Sequence, residues 1–321
     1  MYNGIVNVYK ESGYTSHDVV AKLRGIYGQK KVGHTGTLDP MAEGVLIVLL
    51  GQATKLSDLI LSSNKEYVAT VRLGITSDTD DITGKIITSY ESSSQISSKL
   101  NNITREDIES VLNSFLGSSM QIPPMYSAIK VNGKKLYEYA RAGIEVKRDP
   151  RPVNIYSLEL LDINMSEYEF KFRVSCSKGT YIRALIRDIG QLLGTGAVMS
   201  GLLRDEVNGI KAENAFKLNQ LQSLKEEGRL LDAVSSIDTI LKDVPAVGLK
   251  PTAIKLLENG NRLNYNNFKS LGLSDQECDI DISDSRLLNE SEFFRVYADG
   301  RLRALYSYDK EKKDYKVFKM L

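Results

Sequence analysis

At 321 residues and 35.8 kDa the chain has room for two domains, and its 42% hydrophobic and 26% charged content excludes a disordered, collagenous or fibrous protein. Forty-two Lys plus Arg against 41 Asp plus Glu leave a net charge of +1, so a polyanion partner would have to be held by local patches rather than by the field of the whole molecule. Two cysteines, Cys176 and Cys278, and two histidines, His17 and His34, argue against a Cys/His zinc cluster or a disulfide scaffold.

The opening MYNGIVNVYKESG has no basic start followed by an apolar stretch and a small-residue cleavage site. The longest apolar run, at 45–50, falls far short of the about 20 residues that cross a bilayer. The expectation is a soluble, cytoplasmic protein with no membrane contact.

Ile5, Val6 and Val8 open the chain as a strand, and Thr15-Ser16-His17-Asp18 caps an apolar-periodic helix over 19–26. The next stretch, KKVGHTGTLDPMAEG, is rich in Gly, Thr and Pro and reads as a structured loop feeding the buried-type strand VLIVLL. Residues 65–73 alternate as a strand, and Thr104-Arg105-Glu106-Asp107 opens an amphipathic helix ending near Gly117. Residues 122–152 combine prolines and tyrosines with seven bases, Lys130 and Arg141 among them, against three acids, which predicts an exposed excursion from the sheet.

Strands are expected around 155–163 and 168–176, then a helix over 180–193. Lys171, Arg173, Lys178, Arg183 and Arg187 make this stretch strongly basic. Beyond Pro245 an acidic run at 275–284 precedes FFRVYADGRLRALYSY, where Asp299-Gly300 marks a hairpin and a small β-rich unit.

Three familiar motifs fail on spacing. Gly194-Thr195-Gly196 carries Met199 at the third glycine position of G-x-G-x-x-G and follows a helix. Asp78, Asp80 and Asp81 have Ser89 where a calcium loop needs a bidentate Glu, and read as a turn between strands. Ser16 and His17 are neighbours that do not face each other on a helix, and no G-x-S-x-G elbow exists.

The block at 33–44 uses the vocabulary of turns. Taken whole, G-H-T-G-T-L-D-P-x-A-x-G-V-L resembles the catalytic motif of the TruB family of pseudouridine synthases. VYKESGYTSHDVV is similar to that family's N-terminal K-x-x-G-x-T-S motif and KEYVATVRLG to its K-x-Y strand. IPPMYSAIKVNGKKLYEYARAGIEVKR resembles its RNA-gripping insertion, and CSKGTYIRALIRDIG the segment supplying its second aromatic and its arginine. These segments run in family order over residues 4–205. Glu11 stands where the family often has Pro, and Val207-Asn208-Gly209-Ile210 departs from its V-G-x-F-like tail.

The resemblance implies an α+β fold: a mixed, mainly antiparallel sheet flanked by helices, with a small β-rich PUA-like domain at the C-terminal end. It divides the chain into a catalytic domain at 1–240, with an insertion near 122–152, and an RNA-binding domain at 245–321. The implied reaction converts uridine to pseudouridine in the T stem-loop of tRNA (position 55), with the base flipped out and no cofactor, metal or obligatory protein partner.

Asp39 becomes the carboxylate acting at the sugar, by attack on C1′ or removal of the 2′ proton. Arg183 is the cation that keeps it ionised. Tyr67 is placed under the uracil and as acceptor of the C5 proton, with Tyr181 and Leu203 as pocket walls. His34 fills the space left by the flipped nucleotide, with Thr35 beside it as a substrate contact. Lys10 braces the loop carrying Tyr67, Gly33 and Gly36 supply positive-φ turns, and Lys130 and Arg141 grip RNA from the insertion. Two other readings stay open: a guide-dependent synthase of the dyskerin type, and a non-catalytic RNA-binding or RNA-folding protein on the same scaffold.

Overall fold

The computed structural model describes residues 1–61, 64–89, 94–271 and 286–321. The acidic run at 275–284 lies outside them. Among the described residues, nine strands form one sheet. Its order is Gly4–Lys10, Glu43–Leu50, Ala197–Val207, Lys65–Leu73, Glu169–Cys176, Arg151–Asn164 and Gly117–Gln121, with Val32–His34 and Ile210–Lys211 paired alongside. The neighbours are antiparallel except where Glu43–Leu50 runs parallel to Ala197–Val207, Leu203 meeting Glu43 and Arg204 meeting Gly44.

Residue pattern explains the strand positions. Lys65–Leu73 alternates buried and half-buried residues along its whole length, which puts Lys65, Tyr67, Ala69, Val71 and Leu73 on one face. Glu43–Leu50 is buried almost throughout because both of its faces are covered. Leu46, Val48 and Leu50 pack against Val19, Val20 and Leu23 of the helix Ser16–Tyr27. Val45, Ile47 and Leu49 pack on the opposite side against Ile5, Val207 and Ile240.

The helix Ser16–Tyr27 starts at a capping box between Thr15 and Asp18 and stops at Gly28, whose φ of 62° is left-handed. A second helix, Ile182–Leu193, lays Leu185, Ile186 and Ile189 on the sheet. It begins two residues later than its sequence pattern indicates, because Tyr181 is its extended N-cap. The helix Arg105–Asn113 likewise ends short of Gly117.

A separate five-stranded sheet forms the C-terminal lobe, ordered Phe268–Lys269, Ala246–Leu249, Phe294–Ala298, Arg301–Asp309 and Asp314–Met320. Its hairpin turns at Asp299 and Gly300, with φ of 52° and 68° as a two-residue turn of this kind requires. Leu56, Leu241 and Leu305 join the two lobes. Arg295, 1% exposed, fastens the connecting segment by donating to the Val244 carbonyl at 2.9 Å and pairing with Asp238 at 3.1 Å. The architecture is α+β, with a mixed, mainly antiparallel sheet and a β-rich C-terminal lobe.

Candidate active site

Asp39 sits on the loop between Val32–His34 and Glu43–Leu50, and a loop this polar holds one shape only if its backbone groups find partners. Residues 10–18 supply them. The Lys10 ammonium donates to the carbonyls of Glu11 (3.2 Å), Pro40 (3.1 Å) and Ala42. Gly13 N–H donates to the Pro40 carbonyl at 2.9 Å, Ser12 Oγ to the Met41 carbonyl at 3.1 Å, and Leu38 N–H to Ser16 Oγ at 2.9 Å. Burial pushes the Lys10 pKa down to about 8, with the charge of Asp39 pulling the other way.

Lys10 therefore braces the loop of Asp39, and not that of Tyr67 as the sequence reading had it. Being fully buried, it is no substrate contact. Lys10→Met is expected to slow turnover by about 100-fold, the scale of a 1 Å misplacement of a reacting group, with tRNA affinity little changed. Single-turnover rates beside filter binding measure both, and wild-type turnover in the variant would show that the loop holds its shape unaided.

Arg183, second residue of its helix, clamps the Asp39 carboxylate at two points, Nε to Oδ2 at 2.8 Å and Nη2 to Oδ1 at 3.1 Å. Its other donors reach the carbonyls of Thr79 (2.8 Å) and Tyr126 (2.9 Å), and Asp81 Oδ2 lies 3.7 Å from Nη1. The Arg183 side chain is 6% exposed and that of Asp39 34%, so the guanidinium is walled in while the carboxylate stays reachable. Tyr181 is tied to Gln121 through both backbone groups, at 2.9 and 3.1 Å, and burial pushes its phenol pKa up.

Asp39, Tyr67, Tyr181 and Arg183 line one cleft of about 470 Å³. Tyr67 forms part of its floor and stands opposite Arg204 on the neighbouring strand. Burial raises the Tyr67 phenol pKa, and the Arg204 guanidinium opposes that rise. Arg204, 1% exposed, donates to the Val45 carbonyl at 2.7 Å and to the Gly36 carbonyl at 3.2 Å. It joins the motif loop to the floor, and sequence reading missed it. Its signal was the one base in the strand Ala197–Val207, directly after an apolar pair and on the same face as Leu202. The motif's last glycine follows from this contact: a Cβ on Gly44, whose φ is +103°, would lie 2.3 Å from the Arg204 carbonyl oxygen.

Leu203 is not a wall of the cleft. It packs with Val45 and Ile47 on the other side of the sheet, and Leu202 lines the cleft in its place. A slip of one position along a strand exchanges faces. Gly33 pairs with Leu49 as ordinary strand and has no positive φ, whereas Gly36 does, at +110°. Thr35 is 1% exposed and donates its N–H to the Ile47 carbonyl at 3.0 Å, so it fastens the loop and offers no contact surface.

His34 is half-buried outside the cleft lining, its ring 6.2 Å from that of His17, and its buried Nδ1 has no hydrogen-bond partner. Burial pushes its pKa down. Lys130 and Arg141 are exposed on the insertion, away from the cleft lining. Arg141 lies 5.3 Å over the ring of Tyr137, which does line it. The root of the insertion is held by Arg187 to the Ile122 carbonyl (3.0 Å) and Arg148 to the Pro123 carbonyl (3.1 Å). The turn at 78–81 also does more than reverse the chain, since Asp80 pairs with Arg187 at 3.2 Å.

Known proteins are similar to this chain. The family model described as TruB family pseudouridylate synthase (N terminal domain) matches residues 24–182, and that described as tRNA pseudouridylate synthase B C-terminal domain matches residues 183–242. The chain is 45% identical over 292 residues to tRNA pseudouridine synthase B of Staphylococcus aureus, strains MRSA252 and Newman, which covers 90% of this chain and 93% of each relative. Among solved structures it is similar to a chain of a Cbf5-Nop10-Gar1 complex, with 26% identity and a TM-score of 0.70 over 99% of this chain and 84% of that one. With an acidic loop, an arginine clamp and a tyrosine floor in one cleft, and with identity sustained over nine-tenths of its length, the chain belongs to the TruB family of pseudouridine synthases.

Proposed function

We propose that this enzyme isomerises uridine to pseudouridine in the T stem-loop of tRNA (position 55), in the cytoplasm and without a cofactor. The observation that carries the reading is the two-point clamp of Asp39 by a buried Arg183 at the mouth of a cleft floored by Tyr67. The solved Cbf5 complex keeps a guide-dependent role in view, but 45% identity to a tRNA synthase against 26% to Cbf5 favours tRNA.

A uridine stacked in a folded loop cannot enter the cleft, and flipping it out costs a few kcal/mol. Stacking on an aromatic such as Tyr67 returns about 1–3 kcal/mol. Arg183 then orients Asp39, which either bonds to C1′ as N1 departs or takes the 2′ proton to leave a glycal. The base turns, and C5 bonds to C1′ as Asp39 leaves that carbon or returns the 2′ proton to C2′; N1 takes up a proton, and the C5 proton leaves. Tyr67 accepts that proton only after its own phenol proton has gone, a loss that burial opposes and Arg204 favours. His34 occupies the gap left in the RNA, and Lys130 and Arg141 meet phosphates as the insertion closes. The C-terminal sheet, on this reading a PUA-like unit, holds RNA further from the cleft.

Purified protein incubated with unmodified tRNA and no additive should place pseudouridine in the T loop, and absence of the product would defeat the reading. Tyr67→Phe keeps the ring and removes the hydroxyl. It should bind tRNA as the wild type does and turn over about 10²–10⁴-fold more slowly, the range for a lost proton-transfer group. Unchanged kinetics would leave Tyr67 as a stacking surface alone.

A further inference from the structure

We propose that the Ser127 hydroxyl hydrogen-bonds the 2′-hydroxyl of the target nucleotide and so makes the cleft prefer RNA over DNA at the flipped position. The proposal rests on the pseudouridine-forming reading above and adds a specificity-determining residue to it. Ser127 comes from the root of the insertion, lines the cleft with Asp39 and Tyr181, and is 5% exposed. Its N–H donates to the Met125 carbonyl at 3.0 Å and its carbonyl accepts from the Tyr137 N–H at 3.1 Å, so backbone bonds within the insertion fix its position.

An unmet hydrogen bond sets this residue apart. Among the described residues, four Ser and Thr side chains line the cleft. Thr37 is exposed and open to solvent. Ser177 Oγ accepts from the Asn154 N–H at 2.9 Å, and Thr180 Oγ1 donates to the Ser177 carbonyl at 2.9 Å. Ser127 Oγ is shut away from solvent and has no hydrogen-bond partner among the described residues. Burial raises the Tyr181 phenol pKa and Ser127, its near neighbour, opposes the rise, yet the two lie outside hydrogen-bond geometry. A buried hydroxyl left unpaired is destabilising, and a ligand that brings its own donor and acceptor accounts for it.

Position selects the group that Ser127 meets. The carbonyl of Tyr126, the residue before it, accepts from Arg183 Nη2 at 2.9 Å, and the same nitrogen donates to Asp39 Oδ1 at 3.1 Å. Ser127 therefore follows directly on a backbone group that shares one nitrogen with the carboxylate, whereas Tyr67 belongs to the floor. Asp39 works at C1′ or C2′, so the sugar lies on this side of the cleft and the base over Tyr67. The hydroxyl carried by C2′ both donates and accepts, as a serine hydroxyl does. It is also the group that tells RNA from DNA at a given site.

The test is a double-mutant cycle with the full chain, wild type and Ser127→Ala, on T-loop RNA carrying either uridine or 2′-deoxyuridine at the target position, read as kcat/KM for its conversion. Ser127→Ala should lower kcat/KM on uridine by about 10-fold, the scale of one neutral hydrogen bond, and leave that on 2′-deoxyuridine unchanged. Whatever else the loss of the 2′-hydroxyl does to the reaction is common to both proteins and cancels. RNA affinity, measured alongside, closes the same cycle should the deoxy substrate not turn over. The urea midpoint of Ser127→Ala should match or exceed that of the wild type, because the free protein loses no bond. Ser127→Cys, whose thiol is a weak partner, carries the same comparison should the alanine variant fail to fold. An unchanged value on uridine, an equal loss on both substrates, or a lowered midpoint overturns the proposal. A wild-type protein that forms no pseudouridine from uridine would instead overturn the reading beneath it.

Discussion

Asp39→Asn should abolish pseudouridine formation while leaving tRNA affinity where it was. The amide matches the carboxylate in size and still offers Arg183 one acceptor oxygen, but it can neither bond to C1′ nor take a proton. The loop should keep its course, because Lys10, Ser12, Gly13 and Ser16 hold its backbone and not the Asp39 side chain. A rate loss of at least about 10⁴-fold is expected, the upper end for a positioned proton-transfer group. Single-turnover assays and filter binding on one preparation separate chemistry from recognition. Equal product from the variant would remove Asp39 from the reaction and restore the reading of a non-catalytic RNA-binding protein on this scaffold.

Much of this was legible in the chain because it is locally encoded. The alternation of residues 65–73 showed a strand and put Tyr67 on its inner face, and the unbroken VLIVLL showed a strand covered on both sides. Thr15 and Asp18 declared a helix start. What stayed hidden depends on which distant strand lies alongside. Leu203 and Leu202 are both leucines in an apolar run, and only the pairing of their strand with Lys65–Leu73 decides which one meets the cleft. Arg204 acquires meaning from the parallel contact at Gly44, and Lys10 from a loop thirty residues on. Asp80 and Asp81 read as a turn, and a turn they are, but their charge matters because Arg183 and Arg187 pack against them. A base or acid in a sequence announces its charge and leaves its partner to the tertiary fold.

Arg183→Met follows from that dependence and has the second-largest expected effect. Breaking a buried ion pair from one side typically costs about 3–5 kcal/mol, and the lower end applies because a third of the Asp39 side chain remains in contact with solvent. Methionine replaces the stem and leaves the carbonyls of Thr79 and Tyr126 without their donor, as well as Asp81, 8% exposed, without its near cation. Three segments converge on this guanidinium: the Asp39 loop, the acidic turn and the root of the insertion. All three should loosen together. Urea unfolding should show a midpoint shift worth about 3 kcal/mol, and the rate at a temperature where the variant is still folded should fall by about 100-fold or more as Asp39 loses its orientation. Arg183→Lys restores a charge without the planar fork, so it should recover part of the stability and little of the rate. A methionine variant as stable and as fast as the wild type would show that Asp39 holds its place without the clamp.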